Sequence, residues 1–132
     1  GLQYKEDERV IDFIKEIGEN FPLANGKTIS ASQFLRLFLF DDQTQYSPIS
    51  KLSGGERQKI AVARALLKNA DILLMDEATE GFDVESNEAL RELLHSELKN
   101  KTIVFITHKY KELESVDKVY RLSKGILELV RS

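Results

Sequence analysis

The fold of this chain is decided by the stretch Leu52-Ser53-Gly54-Gly55-Glu56-Arg57-Gln58, by the helical run after it, and by the segment Ile72-Leu73-Leu74-Met75-Asp76-Glu77. Ser53 is a good helix N-cap, and Glu56, three residues later, completes an S-x-x-E capping box. The free N–H groups and the positive dipole end of such a helix predict an anion site, most naturally for phosphate. An ordinary capped helix is the alternative, because these boxes are common.

The helix predicted after this box carries one buried stripe, since Ile60, Ala63 and Leu67 recur at i, i+3 and i+7. The apolar run Ile72–Met75 then predicts a strand that is buried on both faces. A helix followed by such a strand is typical of an α/β fold.

Two acidic residues, Asp76 and Glu77, end the predicted strand, where open α/β sheets place their ligands. Successive side chains of a strand point to opposite faces, so the two carboxylates are expected to do different work. We expect Asp76 to face a hydrated Mg²⁺ and Glu77 to face a water that attacks a phosphate. The alternative is a pair of solvated acids.

A loop from Ala78 to Asp83 follows, and Asp83 is predicted to cap the next helix. That helix should bury the leucines on one of its sides, namely Leu90, Leu93, Leu94 and Leu98. Thr102–Thr107 predicts a second buried strand, which in a parallel arrangement brings His108 to the same sheet edge as the acids. A lone histidine after a strand is more often a surface residue, and His95 is assigned to a helix surface.

The chain closes with a predicted hairpin of Val119–Leu122 and Ile126–Val130, joined by Ser123-Lys124-Gly125. In this order and spacing the central stretch resembles the ATP-binding cassette (ABC) ATPases. Leu52–Gln58 resembles their signature motif, Ile72–Glu77 their Walker B motif and Ala78–Asp83 their D-loop.

The resemblance implies an α/β fold, namely a P-loop NTPase-like partial domain. We expect a helical signature subdomain over residues 1–68, and an α/β part over residues 69–132 with a short parallel sheet and the C-terminal hairpin. In this family two ATPase domains face each other, and the signature of one closes on the nucleotide that the other's P-loop holds. The chain would then take part in coupling ATP-driven dimerisation to transport.

The resemblance also implies the roles of individual residues toward ATP and Mg²⁺. Ser53, Gly54, Gly55 and Glu56 would form the signature surface that grips the γ-phosphate of ATP. Asp76 would orient Mg²⁺, Glu77 would position or deprotonate the attacking water, His108 would sense the γ-phosphate, and Asp83 would link the two sites.

The segment before the signature is predicted to be helical. Val10, Phe13, Ile14 and Ile17 follow helical spacing, and a loop with Pro22 and Asn25-Gly26 comes next. Ser30 and Gln33 form a second capping box, before an apolar helix face of Phe34, Leu35, Phe38 and Leu39. Asp41–Pro48 is predicted to be a polar linker.

Gly26-Lys27-Thr28 looks like the end of a P-loop, but the motif G-x-x-x-x-G-K-[ST] requires a glycine where Phe21 stands. We therefore interpret these residues as a turn and expect a missing half to supply the Walker A motif. Without it, ATP and Mg²⁺ should not be held, and the isolated chain should be inactive as an ATP hydrolase.

Composition limits the remaining choices. The chain has 132 residues, 42% of them hydrophobic and 31% charged, as expected for about one globular domain. It has no cysteine and no apolar run long enough for a membrane span, so we expect a cytoplasmic location. A net charge of -3 provides no general attraction to nucleic acid. The expected partners are a second ABC ATPase domain or the missing N-terminal half, a transmembrane transporter subunit, and further copies of the chain by self-association.

The sequence resembles two branches of this family. Residues 1–52 look like ABC-F proteins, the soluble ribosome-associated branch, whereas residues 53–132 look like ABC exporters, and Glu80-Gly81-Phe82 departs from both. An atypical subfamily or an engineered chimera would explain the mixture. The alternatives are a non-enzymatic fragment with a folded signature subdomain, an ABC-F-type ATPase, and an SMC-type DNA-repair ATPase, which the absence of long heptads disfavours.

Overall fold

The structure is a computed structural model that describes residues 2–68, 70–109 and 113–132. Helices dominate its first half, and strands alternate with a helix in its second half. In chain order the elements are α1 (Val10–Lys15), β1 (Asn20–Pro22), β2 (Thr28–Ser30), α2 (Ala31–Leu37), α3 (Asp42–Gln45), a 3₁₀ turn (Ile49–Lys51), α4 (Gly54–Leu67), β3 (Ile72–Asp76), α5 (Val84–His95), β4 (Thr102–Ile106), β5 (Val119–Ser123) and β6 (Ile126–Arg131). The predicted α/β class is confirmed.

The helical part is built around buried aromatic rings. Phe13 from α1 and Phe34 from α2 are at most 2% exposed, and so are Phe38 and Phe40, which follow α2. Their burial removes the largest apolar side chains of this half from water, which is the main favourable contribution to its folding. The predicted capping box at the start of α2 is present, with Ser30 Oγ accepting from the Gln33 backbone N–H at 3.2 Å.

The helix face predicted for α2 was wrong at Leu39, which is 49% exposed. Leu39 has a φ of +65° and follows the end of the helix. Its N–H donates to the Arg36 carbonyl at 3.0 Å, and the Phe40 N–H donates to the Leu35 carbonyl at 2.7 Å. This is the Schellman arrangement that ends many helices, with leucine at the position that usually holds glycine.

The predicted linker Asp41–Pro48 was also wrong, because it contains α3 and a fully buried glutamine. The amide of Gln45 donates to the carbonyls of Phe40 at 3.0 Å and Ser32 at 3.2 Å, and it accepts from Ser32 Oγ at 2.8 Å. Since its hydrogen bonds are made inside the protein, its burial costs little. Gln45 thus ties α3 to α2.

The predicted loop around Pro22 contains a short hairpin, in which β1 pairs antiparallel with β2. Gly26 lies in its turn with a φ of +85°, as predicted, whereas Thr28, the third residue of the predicted turn, is the first residue of β2. The Ala24 N–H at the hairpin tip donates to the Glu97 carbonyl at 2.8 Å. The hairpin therefore connects the helical part to the chain just after α5.

The strands β3 and β4 are parallel, as predicted, and Asp76 lies opposite Ile106 in their register. The prediction that β3 is buried on both faces was wrong, and so was the prediction that β4 is a buried strand, since Val104 is 47% and Ile106 46% exposed. Leu73 and Met75 are buried, whereas Ile72 and Leu74 are each 65% exposed. Alternate residues face opposite sides of a sheet, so one face of this sheet covers the core and the other faces solvent.

The C-terminal hairpin is confirmed, with β5 antiparallel to β6. Lys124 and Gly125 both have positive φ, at +51° and +78°, as in the turns that match the twist of a two-residue hairpin. His95 is exposed on the last turn of α5, as expected. Among the described residues, none of the helices combines the length and apolar character needed to cross a membrane.

Candidate functional site

The start of α4 carries the predicted capping box in full. Ser53 Oγ accepts from the Glu56 N–H at 3.1 Å, and Glu56 Oε1 accepts from the Ser53 N–H at 3.1 Å. Ile60, Ala63 and Leu67 on one side of the helix are buried, which confirms the predicted stripe. The buried side anchors the helix and leaves Ser53 and Gly54 exposed at its start.

Two backbone N–H groups at this end of α4 remain available to a ligand, because the N–H groups in the first turn of a helix have no intrahelical acceptors. The Glu56 and Arg57 N–H groups bond to Ser53, which leaves those of Gly54 and Gly55. A Cβ at Gly54 would meet nothing within 4 Å, so the space in front of these groups is open. A helix start of this kind can receive a phosphate oxygen.

The predicted catalytic pair lies at the carboxyl edge of the parallel strands. Glu77 Oε1 is 2.7 Å from His108 Nε2, although the two residues are far apart in sequence. The Glu77 N–H donates to the Ile106 carbonyl at 2.8 Å and extends the pairing of β3 with β4. The two strands therefore bring the pair together, as the parallel arrangement predicts.

Glu77 does not continue the strand, since its φ is +52°. The expectation that strand alternation separates Asp76 from Glu77 therefore rested on the wrong local geometry. Asp76 is the last residue of β3 and shares the exposed face with Ile72 and Leu74. Left-handed backbone at a residue other than glycine is costly, and such strained residues cluster at turns, helix ends and functional sites.

A small cleft of about 30 Å³ lies beside this pair. It is lined by Glu77, Thr79, Glu80, Thr107, His108 and Lys109, none of which belongs to the signature motif. Ligand pockets usually enclose roughly 300 Å³ or more, so the cleft has no room for a nucleotide. Most of a nucleotide would have to be held elsewhere.

The acidic residues of the described ranges do not form a metal site by themselves. Within residues 2–68, 70–109 and 113–132, there is no group of three or more His, Asp or Glu side chains that could hold a metal ion. Asp76 is exposed at the strand end, and a single carboxylate there fits Mg²⁺ only if phosphate oxygens and water supply the other ligands. Asp76 can therefore supply one ligand, and a metal ion here would need its other ligands from outside the described residues.

Asp83 caps α5 as predicted, since its carboxylate accepts from the Ser86 N–H at 2.8 Å. The hydrogen bonds from the side chain and backbone of Ser86 hold the pKa of Asp83 below its usual value, because they stabilise the charged form. The loop before it is folded on itself, with the Phe82 N–H bonded to the Thr79 carbonyl at 3.0 Å. Asp83 therefore has a fixed place at the start of α5.

Two residues of α4, Gln58 at the end of the signature motif and Lys59 just after it, were missed as parts of this site. Gln58 Oε1 accepts from the Gly81 N–H at 2.7 Å, and Lys59 is 8% exposed with its Nζ 3.4 Å from Ser86 Oγ. The Lys59 ammonium lies 4.5 Å from the centre of the Phe40 ring, and burial lowers its pKa. Their spacing from Gly55, at i+3 and i+4 on one helix, was the available signal.

Together, these features define a class of protein. Parallel strands that end in acidic residues, a histidine beside them and an open helix start are typical of an α/β fold of the P-loop NTPase type. The model of the family described as ABC transporter matches residues 3–80. The chain belongs to this family.

Relatives and solved structures agree with this assignment. The ATP-dependent lipid A-core flippase of Pseudoalteromonas translucida is 45% identical over 74 residues, which are 56% of this chain and 13% of that protein. Multidrug resistance protein 1 of Entamoeba histolytica is 33% identical over 126 residues, covering 89% of this chain and 10% of that protein. The chain thus spans about an eighth or less of the length of these two curated relatives.

The structural comparison supports the same fold. The ATP-binding cassette MJ0796, solved as a dimer in a post-hydrolysis state with ADP and Pi, matches with a TM-score of 0.60 and 28% identity. The match covers 77% of this chain and 46% of that one. The partial P-loop NTPase-like α/β fold is confirmed.

Proposed function

We propose that this chain is the signature-bearing part of an ABC ATPase domain, which works only with a Walker A half from another segment or chain. Residues 1–68 would form its helical signature subdomain, and residues 69–132 the part with Walker B and the switch histidine. The observation that carries the proposal is the Glu77–His108 contact of 2.7 Å at the carboxyl edge of two parallel strands. Open sheets of this class bind their ligands at that edge.

The signature surface would contact the γ-phosphate of an ATP molecule that a P-loop holds. Ser53, Gly54 and Gly55 would supply the hydroxyl and the two remaining N–H groups, and Glu56 would hold Ser53 in place through the capping box. The open space at Gly54 supports this role, because a phosphate needs a close approach. The positive end of the helix would favour the negative charge.

At the strand edge, Asp76 would orient Mg²⁺ and Glu77 would accept the proton of the attacking water. The metal ion supplies charge neutralisation for the phosphates when it is bound. His108 lies against Glu77 and would donate a hydrogen bond toward the γ-phosphate. Asp83, at the end of the loop that begins beside Glu77, would link this edge to the signature.

The proposed partners follow from the parts that the site needs. The P-loop would come from the missing N-terminal half or from a second ABC ATPase domain. ATP hydrolysis would drive a transmembrane transporter subunit at the cytoplasmic face of a membrane. Neither nucleic acid nor lipid is needed as a ligand. We also propose that the isolated chain self-associates through the apolar side chains exposed on β3.

The parentage of the chain is also a proposal. The match to the Entamoeba histolytica protein covers 89% of the chain, so it includes most of residues 1–52 as well as the signature. This coverage supports an atypical ABC transporter sequence over an engineered chimera with ABC-F. Coupling of ATP-driven dimerisation to transport is the activity that we assign to the completed domain.

The decisive experiment compares the isolated chain with a domain completed by a P-loop half. We expect no ATP turnover by the isolated chain, turnover by the completed domain, and loss of that turnover in Glu77→Gln. Ser53→Arg should also abolish turnover, because its side chain fills the space in front of Gly54. Ser30→Arg at the other capping box is the matched control and should retain activity at equal folded fraction. Turnover by the isolated chain that disappears in Glu77→Gln would contradict the proposal.

A further inference from the structure

One face of α4 contacts the loop that joins β3 to α5, here called the β3–α5 loop (residues 77–83). Gly55, Gln58 and Lys59 form this face, at positions i, i+3 and i+4 of the helix. Gly55 and Gln58 contact Gly81 in the loop, and Lys59 reaches Ser86 in the first turn of α5. The helix that begins at the signature therefore holds the loop and the helix after it.

The closest contacts are made at Gly81. Its N–H donates to Gln58 Oε1 at 2.7 Å, and a Cβ built on Gly81 would lie 2.5 Å from the same oxygen. A Cβ on Gly55 would lie 2.9 Å from the Gly81 carbonyl oxygen. Gly81 is not among the positive-φ glycines, which are Gly26 and Gly125. Glycine is needed at position 81 because of space, not because of backbone conformation.

These contacts explain two of the three residues at which the loop departs from both family patterns. Gly81 leaves room for the Gln58 amide, and the ring of Phe82 packs 5.9 Å from that of Phe38 in the helical core. Glu80 is exposed, and its backbone is hydrogen-bonded: its N–H donates to the Glu77 carbonyl at 3.3 Å, and its carbonyl accepts from Lys109 Nζ at 3.0 Å. Gly81 and Phe82 thus fit against side chains of the helical part, namely Gln58 and Phe38.

We propose that Gln58 is a positioning residue, which holds the β3–α5 loop through the Gly81 N–H so that Glu77 and Asp83 keep their places relative to the signature surface. Glu77 begins this loop and Asp83 ends it, so a hydrogen bond at Gly81 restrains both. The inference rests on the proposed function for its catalytic consequence, but the contact itself can be tested without nucleotide.

The first test measures hydrogen exchange of the Gly81 amide by NMR in the chain as it stands. Gln58→Ala should speed this exchange about five- to tenfold, the effect of losing one net hydrogen bond, while core amides stay unchanged. Gln58→Glu keeps an acceptor at the same place and should retain the protection. Gln43→Ala, at an exposed helical glutamine of α3, is the matched control. An unchanged Gly81 rate in Gln58→Ala would overturn the proposal.

The second test uses the steric argument. Gly81→Ala should displace the Gln58 amide and raise loop exchange as Gln58→Ala does, because the new Cβ would overlap Oε1. The double variant should resemble either single variant, since both remove the same contact. Additive effects of the two substitutions would show that Gly81 and Gln58 act independently, and would overturn the contact as the source of restraint.

The third test addresses catalysis in the completed domain. Gln58→Ala should lower kcat about tenfold or more and leave KM for ATP within about twofold, because the nucleotide is held by the P-loop half. Gln58→Glu should restore kcat. An unchanged kcat in a variant whose Gly81 amide has lost protection would overturn the positioning role. If the unmodified completed domain has no turnover, the proposed function and this catalytic role fail together, while the exchange result still decides the contact.

Discussion

Three of the helix caps among the described residues permit a test that separates capping from phosphate binding. Ser30 and Ser53 both sit in complete capping boxes, with side-chain to backbone distances between 3.0 and 3.2 Å. Asp83 caps α5 by accepting from the Ser86 backbone N–H at 2.8 Å, without a capping box. Ser30 lies at the start of α2, whereas Ser53 lies at the proposed phosphate site. The substitutions Ser30→Ala, Ser53→Ala and Asp83→Ala therefore remove comparable caps in different surroundings.

The expected loss of stability follows from the broken bonds. Each serine variant leaves the N3 backbone N–H without its side-chain acceptor, which costs about 1 kcal/mol in helices of this kind. For a chain of this size that loss lowers Tm by roughly 4 °C. The N3 side chain can still bond to the N-cap N–H, so the loss should not exceed about 2 kcal/mol. Urea unfolding should show a lower midpoint with an unchanged slope.

The acid dependence distinguishes Asp83 from the serines. Its pKa is lowered in the folded protein, so its stabilisation is present above the ordinary aspartate pKa and is lost as pH falls through the folded value. The cost of Asp83→Ala should therefore shrink as the pH falls from the ordinary aspartate pKa of about 3.9 into the acid range, by the linkage of protonation to folding. The cost of Ser30→Ala should change much less. A cost of Asp83→Ala that stays constant over this range would refute the assignment of the cap to the carboxylate.

Three further predictions concern the rest of the fold. Leu39→Gly should stabilise the protein by about 0.5–1 kcal/mol in urea unfolding, because Leu39 is exposed at a φ of +65° that glycine adopts without strain. Burial lowers the pKa of Lys59, so the wild type should gain stability relative to Lys59→Met as pH rises through the lowered folded pKa toward the ordinary lysine pKa of about 10.4. A stability difference that stays constant with pH would contradict this. Leu74→Lys should reduce self-association in sedimentation experiments, because it places a charge on the apolar face of β3, and a wild type that stays monomeric at all concentrations would count against that prediction.

The predictions from sequence succeeded where the signal was local. Both capping boxes span only three residues, and each was found as predicted at Ser30 and Ser53. The parallel pairing of β3 with β4 followed from two apolar runs separated by a helix, a pattern that leaves few alternatives. His108 lies beside Glu77 for the same reason, because parallel strands have their carboxyl ends at one edge of the sheet.

The errors occurred where burial depends on distant parts of the chain. Leu74 is as apolar as Leu73, so composition could not tell that only one face of β3 is covered. Gln45 is polar in sequence but fully buried, because its hydrogen bonds come from Ser32 and Phe40, which its own segment does not reveal. Gln58 was missed for a similar reason, since its partner is a backbone N–H in a loop.

The exposed face of β3 and the proposed metal site are physically linked. Ile72, Leu74 and Asp76 alternate along the strand and share the solvent-facing side, with Asp76 at the end nearest the site. A segment that covers Ile72 and Leu74 must therefore also approach Asp76. It would remove water from around the carboxylate, and a drier site strengthens the attraction between a carboxylate and a cation. Covering this face of β3 and forming the Mg²⁺ site are thus expected to be one coupled event, in which apolar burial offsets the cost of desolvating Asp76.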